Sequence, residues 1–267
     1  VSQTTWSTCS SGNHIENIKI YHKYIQCLGA DPEWGFQDVL GFDPELLEMV
    51  PKPVAAVLLL FPYTDAVKSS PQGTEDASAS LYFTKQTIGN ACGTIGVIHA
   101  LANNMDKIKM ASDKHFQALY EATKDLSPEA RAKYLEEDKE LGDAHESSAS
   151  EGQTKTPARE ESVRHHFVTF IHKDGGLYEM DGRRGSPVRH GDTTPDTLLQ
   201  VRTECRQSLF CFVLRWQGAL LWIDRSPPRS AGTILHIQCI GDTPDTLNQA
   251  GTRVLSKFVM VLVCFFP

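Results

Sequence analysis

The sequence lacks any long hydrophobic run. Its uninterrupted apolar stretches, such as VMVLVCFF at 259–266, are far shorter than the roughly 18 residues that a membrane-spanning helix needs. The opening residues, VSQTTWSTCSSGN, also lack the charged start and apolar core of a secretory signal peptide. We therefore expect no membrane association, and we expect the protein in the cytoplasm, with the nucleus as a second location.

An excess of positive charge and paired cysteines are also missing. The chain has 26 Lys and Arg against 33 Asp and Glu, a net charge of −7, which argues against a nucleic-acid partner. Its seven cysteines are scattered, with no C-x-x-C pair. This distribution is typical of reduced intracellular thiols, and it lacks the ligand spacing of a zinc site, so no metal is predicted.

The residues that are present predict a protein of mixed α and β structure. The 267 residues are 40% apolar, which is enough for one large domain or two small ones. The run VAAVLLLFP predicts a strand buried on both faces, and the DGG turn predicts a hairpin. The strands are expected at 54–62 and within 165–182, and the helices after Asp31-Pro32, after Asp43-Pro44, over 91–104 and in two pieces over 111–138. The class is α/β or α+β, with a mostly buried central sheet flanked by helices.

A cysteine in QTIGNACGT stands where one of these helices begins. With Asn90 as the cap, Cys92 lies in the first helical turn, where free N–H groups and the helix dipole favour a thiolate. Gly93 and Gly96 indicate close approach by a substrate or by a packed strand. The alternative is a buried structural thiol, as free cysteines often are, and His99 in the same helix is expected to be structural.

A cysteine nucleophile requires a base and a group that orients the base. His166 begins one predicted strand and Asp181 ends the next, so the hairpin can bring them together. His165 is a rival base, because neighbouring strand residues point to opposite faces, and the spacing does not choose between the two. Gln86 lies six residues before Cys92, and its amide could stabilise an oxyanion.

Residues 28–200 closely resemble the ubiquitin carboxyl-terminal hydrolases, a family of cysteine peptidases with a papain-like catalytic arrangement. The similarity is long and dispersed, and so more specific than a bare Cys-His-Asp pattern. The matching stretches are LGADPEWGFQDVLGFDPELLEMVPKPVAAVLLLFP, YFTKQTIGNACGTIGVIHALANN, SPEARAKYLE, HESSASEGQT and HHFVTFIHKDGGLYEMDGRRGSPVRHG.

The resemblance implies a role for each candidate residue. The family's Q-x5-C motif falls on Gln86 and Cys92, its H-F strand favours His166 over His165, and its L-Y-E-x-D-G motif falls on Asp181. It implies cleavage after the C-terminal glycine of ubiquitin through a Cys92 thioester, with His166 as base and then acid. No cofactor is implied, and the expected partner of the monomer is ubiquitin or a ubiquitin-like protein.

The stretch 142–162 shows no periodicity and almost no large apolar residue, so we predict a structureless loop. The resemblance assigns it to the family's crossover loop, which arches over the active site and limits the substrate to small adducts and peptides. A plain solvated linker fits the composition equally well. The residues expected to gate the site are Gly142, His145, Glu146, Ser147, Ser148, Ala149, Glu151 and Gly152.

Both ends depart from the family pattern. Of the usual W-x-P-L-E segment only Trp6 is present. The family's last helix resembles AGTRVLSKF at 250–258, displaced by residues 201–249, and VMVLVCFFP stands where the final strand follows. We therefore expect a catalytic domain over 1–200, an insertion over 201–240, and an altered helix and strand over 241–267.

The changed C-terminus bears on the fold and on the function. The family topology is knotted, and an altered terminus would disturb it. The alternatives to an active hydrolase are a ubiquitin-binding protein without turnover and a misfolded product.

Overall fold

The computed structural model describes residues 14–40, 44–63, 73–77, 80–150, 165–199 and 258–264. Within these ranges the helices are α1 His14–Leu28, α2 Pro44–Glu48, α3 Cys92–Ala102, α4 His115–Thr123, α5 Pro128–Glu137 and α6 Lys139–Ser150. The strands are β1 Trp34–Asp38, β2 Val54–Pro62, β3 Thr74–Glu75, β4 His165–Lys173, β5 Gly176–Met180, β6 Val188–Asp192 and β7 Phe258–Cys264. No helix among the described residues is long and apolar enough to cross a bilayer.

The strands form one antiparallel sheet in the order β1-β7-β2-β4-β5-β6-β3. The predicted two-sided burial of β2 is confirmed. Leu58 and Leu60 pack into the core on one face of the sheet, and Val57 and Leu59 pack into the core on the other. This alternation explains the unbroken apolar run, since neither face of the strand meets water.

Strand β7 lies between β1 and β2 and pairs with both. Its register on β2 runs from Phe258 opposite Leu60 to Val263 opposite Val54. This is the segment from which the sequence analysis expects a completing strand. The expected insertion at 201–240, residues 250–257 of the displaced helix, and Trp6 all lie outside the described residues.

Helix α3 packs on β4, and the close approach at Gly96 explains that glycine. A Cβ atom at Gly96 would stand 3.0 Å from Thr169 Oγ1. The Thr169 hydroxyl donates to Gly96 O at 2.8 Å. The packed strand predicted from Gly96 is therefore β4, and this contact sets the height of α3 above the sheet.

The hairpin and the paired helices are also confirmed. Strands β4 and β5 are joined by Asp174 and Gly175, with φ values of 47° and 78°, the positive values that a tight two-residue hairpin turn requires. Helices α4 and α5 divide the 111–138 region, and Ser127 caps α5 by accepting from Ala130 N at 3.3 Å.

Two predictions of secondary structure are wrong. Asp31-Pro32 does not start a helix, because Asp31 Oδ1 accepts from Glu33 N at 2.9 Å in a turn that leads into β1. The stretch 142–162 is not structureless throughout, because residues 142–150 belong to α6.

Candidate active site

Cys92 is the first residue of α3, as predicted, but the cap is different. Ala91 is the N-cap and makes no side-chain hydrogen bond to the helix. Asn90 instead has a left-handed backbone, with φ of 57°, so its predicted capping role is wrong. With no side chain capping the first turn, its N–H groups and the helix dipole favour negative charge on Cys92.

His166 lies in β4, opposite Phe61 of β2, and is fully buried. Its Nε2 atom is 2.7 Å from Asp181 Oδ1. Its Nδ1 atom has no hydrogen-bond partner among the described residues. The imidazole is therefore held through one nitrogen and leaves the other available to the neighbouring Cys92 thiol.

The carboxylate that holds His166 is itself fixed. Asp181 directly follows β5 and is buried, and its Oδ1 also accepts from Arg183 N at 2.9 Å. The Arg183 guanidinium lies 4.7 Å above the Tyr63 ring, which meets the His166 ring edge-on at 5.1 Å. Neither Arg183 nor Tyr63 is identified from the sequence, although Arg183 directly follows the DG of 181–182 and Tyr63 directly follows β2.

The three groups shift one another's pKa values. Burial opposes ionisation of Cys92, but the His166 imidazole outweighs burial and lowers the pKa of the thiol. Burial likewise opposes the charged imidazole, but Asp181 and Cys92 raise the pKa of His166 above its ordinary value. Burial also disfavours the Asp181 carboxylate, yet the hydrogen bond from His166 lowers its pKa. The arrangement favours a thiolate beside an imidazolium.

Gln86 packs against Gly182, the residue that follows Asp181. Its backbone N–H donates to Gly182 O at 2.8 Å, and a Cβ atom on Gly182 would stand 3.0 Å from Gln86 N and Cβ. Its side-chain Nε2 donates to Ile88 O at 3.1 Å. Because a primary amide has two N–H bonds, one donor of Gln86 remains for a ligand.

The first part of the expected gating loop contacts the helix that begins with Cys92. His145 on α6 is buried, and its Nδ1 lies 2.7 Å from the hydroxyl of Thr94, two residues after Cys92. Of the other expected gating residues, Gly142 and Ser147 lie on α6, half-buried and exposed. Glu146, Ser148 and Ala149 belong to the same helix, and Glu151 and Gly152 lie outside the described residues.

Within the described part of the chain, no cluster of three or more His, Cys, Asp or Glu side chains could hold a metal ion.

The helix-borne thiol, the strand-borne imidazole and the carboxylate behind it define the class: the protein is a cysteine peptidase with a papain-like arrangement.

The comparisons with known proteins show the family. The model described as "Ubiquitin carboxyl-terminal hydrolase, family 1" matches residues 15–209, and the chain belongs to this family. A ubiquitin carboxyl-terminal hydrolase of Aplysia californica is 50% identical over 190 residues, which cover 70% of this chain and 89% of the relative. The isozyme L1 of Rattus norvegicus is 41% identical over 209 residues, covering 76% of this chain and 91% of the relative.

A solved structure shares the fold. The catalytic domain of Trichinella spiralis UCH37, bound to ubiquitin vinyl methyl ester, superposes with a TM-score of 0.63 at 18% identity. The alignment covers 97% of this chain and 98% of that one. The expectation of a papain-like fold is therefore confirmed.

Proposed function

We propose that this protein is a thiol hydrolase that cleaves the bond after the C-terminal glycine of ubiquitin. The observation that carries the proposal is the buried His166, held at 2.7 Å by Asp181 through one nitrogen while the other is left beside a thiol of lowered pKa. Membership of the ubiquitin carboxyl-terminal hydrolases supplies the substrate. The names of the relatives and the ubiquitin vinyl methyl ester bound to the similar solved structure support the same choice.

In the proposed reaction His166 accepts the Cys92 proton, and the thiolate attacks the carbonyl carbon of the terminal glycine. The negative charge on the carbonyl oxygen is stabilised by the second amide N–H of Gln86. The tetrahedral intermediate collapses, His166 gives its proton to the leaving group, and a thioester remains on Cys92. Water then loses a proton to His166, attacks the thioester, and releases the ubiquitin carboxylate and the thiol.

Asp181 has two tasks in this scheme. Its hydrogen bond keeps the neutral imidazole protonated on Nε2, so that Nδ1 accepts from the thiol. Its charge stabilises the imidazolium that forms when the thiol is deprotonated. Arg183 N donates to the same oxygen, Oδ1, at 2.9 Å and helps to hold the carboxylate in place.

We also propose that the segment between α6 and β4 limits the substrate to small adducts and peptides. The support is that α6, from which this segment departs, is hydrogen-bonded through His145 to Thr94 on the nucleophile helix. The helix from which the segment departs is thus tied to the helix that begins with Cys92, and we infer that a large leaving group would have to pass this segment.

Hydrolysis of a fluorogenic amide at the C-terminus of ubiquitin tests the function. We expect turnover by the wild-type chain, none by Cys92→Ala, and nearly none by His166→Ala, while His165→Ala stays active. Gln86→Ala is expected to lose roughly 10²–10³ in kcat, as removal of one oxyanion donor does. A folded wild-type chain that binds ubiquitin without turnover would support the non-catalytic alternative.

A further inference from the structure

The segment that carries Gln86 is extended and belongs to no strand, although its first residues are buried. Tyr82, Phe83 and Thr84 are all nearly inaccessible to solvent. Buried backbone N–H and C=O groups need hydrogen-bond partners. For this segment the partners come from side chains, chiefly those of the helix that begins with Cys92.

Asn103, the C-cap of α3, forms hydrogen bonds with both the N–H and the C=O of Tyr82. Tyr82 N donates to Asn103 Oδ1 at 2.8 Å, and Asn103 Nδ2 donates to Tyr82 O at 2.8 Å. The carboxamide thus occupies the place that a neighbouring strand would take. One turn earlier, His99 Nε2 lies 3.1 Å from Thr84 N and 3.2 Å from Thr84 O, so either tautomer finds a partner there.

The spacings of the two elements match. Residues four apart on a helix are separated by about 6 Å along its axis, and residues two apart in an extended chain by about 6.6 Å. His99 and Asn103 can therefore bond to Thr84 and Tyr82 at the same time. Between them, Phe83 O accepts from the buried Arg131 guanidinium at 2.9 Å, so the segment is held from two directions.

We infer that His99 and Asn103 are positioning residues that set the place of the Gln86 amide relative to the Cys92 thiol. Both ends of α3 then contribute: the first residue is the nucleophile, and the last turn holds the chain that carries the oxyanion donor. The inference rests on the proposed function. An oxyanion donor must be held within about 0.5 Å of its productive position, and the main-chain bonds of Tyr82 and Thr84 to these two side chains fix the chain shortly before Gln86.

The neighbouring asparagine provides a matched control. Asn104 is as buried as Asn103. Asn103 Nδ2 donates to His99 O at 2.8 Å as well as to Tyr82 O, and Asn104 Nδ2 likewise donates to two carbonyls, Ala100 O at 2.9 Å and Ala55 O at 3.2 Å. These bonds lead to α3 and β2, not to the Gln86 segment. Asn103→Ala and Asn104→Ala therefore remove the same kind of side chain, with similar buried hydrogen bonds, from adjacent positions. Only Asn103→Ala removes bonds to the segment that carries Gln86.

The experiment measures kcat and KM of both variants on the ubiquitin fluorogenic amide, each alone and combined with Gln86→Ala. We expect Asn103→Ala to lower kcat roughly tenfold to a hundredfold with KM nearly unchanged, and to have less than a twofold effect once Gln86 is absent. Asn104→Ala should lower the melting temperature to a similar extent but leave kcat within about twofold. If Asn103→Ala does not fold, His99→Gln enters the same cycle, with a smaller drop in kcat and the same dependence on Gln86.

Equal effects of the two asparagine variants on kcat would overturn the inference, as would a loss in Asn103→Ala that multiplies fully with that of Gln86→Ala. Either result leaves the proposed hydrolase activity standing. Absence of wild-type turnover would instead contradict the proposed function itself, so the two failures are distinguishable.

Discussion

The reactivity of Cys92 depends on its neighbour more than on its own surroundings. The thiol is buried, and burial alone opposes the thiolate, so the lowered pKa of Cys92 derives chiefly from His166. The N-terminal position on α3 adds to the effect, because no side chain caps the helix and its dipole favours an anion. Removing the imidazole should therefore raise the pKa of Cys92, because burial is then no longer opposed by His166.

Alkylation by iodoacetamide across a pH series measures this dependence. We expect the rate at Cys92 to rise with a midpoint below the ordinary thiol value of about 8.5, and this midpoint to move upward in His166→Ala. Peptide mass spectrometry separates Cys92 from Cys27, an exposed thiol on α1 that serves as the internal reference. Equal midpoints at Cys92 in the two proteins would show that His166 does not control the thiol.

At the scale of elements, β7 is the strand that joins β1 to the rest of the sheet. It lies between β1 and β2, and its main chain pairs with both strands. Without β7, one edge of β1 and one edge of β2 lose their hydrogen-bond partners, and β1 is separated from the rest of the sheet, whereas β2 still pairs with β4.

A substitution at Val261 tests this position, because Val261 lies opposite Gln37 of β1 and Val57 of β2. Val261→Pro removes a main-chain donor and should lower the free energy of unfolding by roughly 1–3 kcal/mol more than Val261→Ala, which keeps it. Urea unfolding of the two variants gives the difference. Equal stability would mean that β7 does not pair within the sheet in solution.

The gating proposal is tested by lengthening the chain between α6 and β4. A Gly/Ser insertion within 151–164 should allow folded leaving groups to be cleaved from ubiquitin while hydrolysis of the small amide changes little. The stability cost is low, about 0.6 kcal/mol per doubling of loop length. The same insertion after Asp125, between α4 and α5, is the control, and unchanged size selectivity across the series would show that the segment is only a linker.

The elements that could be predicted from the sequence are those whose local pattern agrees with their packing. Strand β2 reads as a buried strand because both of its faces enter a core. The Asp31-Pro32 pair is typical of a helix start, but Trp34 and Phe36 are buried as part of strand β1. Tertiary packing therefore overrides the local helix signal. Helix α6 was missed because His145, a polar residue, occupies one of its buried positions.

The site shows the same division. The place of Cys92 at a helix start and the pairing of His166 with Asp181 could be predicted from a helix start and a hairpin, whereas the preference for His166 over His165 as the base depends on the resemblance. The supports contributed by His99 and Asn103 could not be predicted. A side chain that bonds to the main chain of an extended segment leaves no periodicity in the sequence, and only the folded structure brings the two together.

At the scale of the whole molecule, His99 links stability to pH. Burial lowers its pKa to about 4, partly offset by the hydrogen bond with Thr84, whereas the unfolded chain has a value of about 6.5. Between these values the unfolded state binds more protons, so the free energy of unfolding falls as the pH falls through this window. The expected loss is about 3 kcal/mol.

Urea unfolding of wild type and His99→Gln between pH 7 and pH 4 isolates this contribution. Other titrating groups also change stability with pH, among them His166 with its raised pKa and Asp181 with its lowered pKa. They are present in both proteins, so their contributions to the free energy of unfolding cancel in the comparison. We expect the variant to lose less stability on acidification by about 3 kcal/mol. Parallel pH profiles would mean that His99 is not buried as a neutral group.

A covalent test shows most directly whether Cys92 acts as a nucleophile toward the C-terminus of ubiquitin. The full-length chain is incubated with ubiquitin that bears a C-terminal vinyl methyl ester, and the adduct is mapped by peptide mass spectrometry. We expect one ubiquitin per chain, on Cys92, none on the exposed Cys27, and strongly reduced labelling in His166→Ala. A folded chain that stays unlabelled at Cys92, or that is labelled at Cys27 instead, would contradict a nucleophilic role of Cys92.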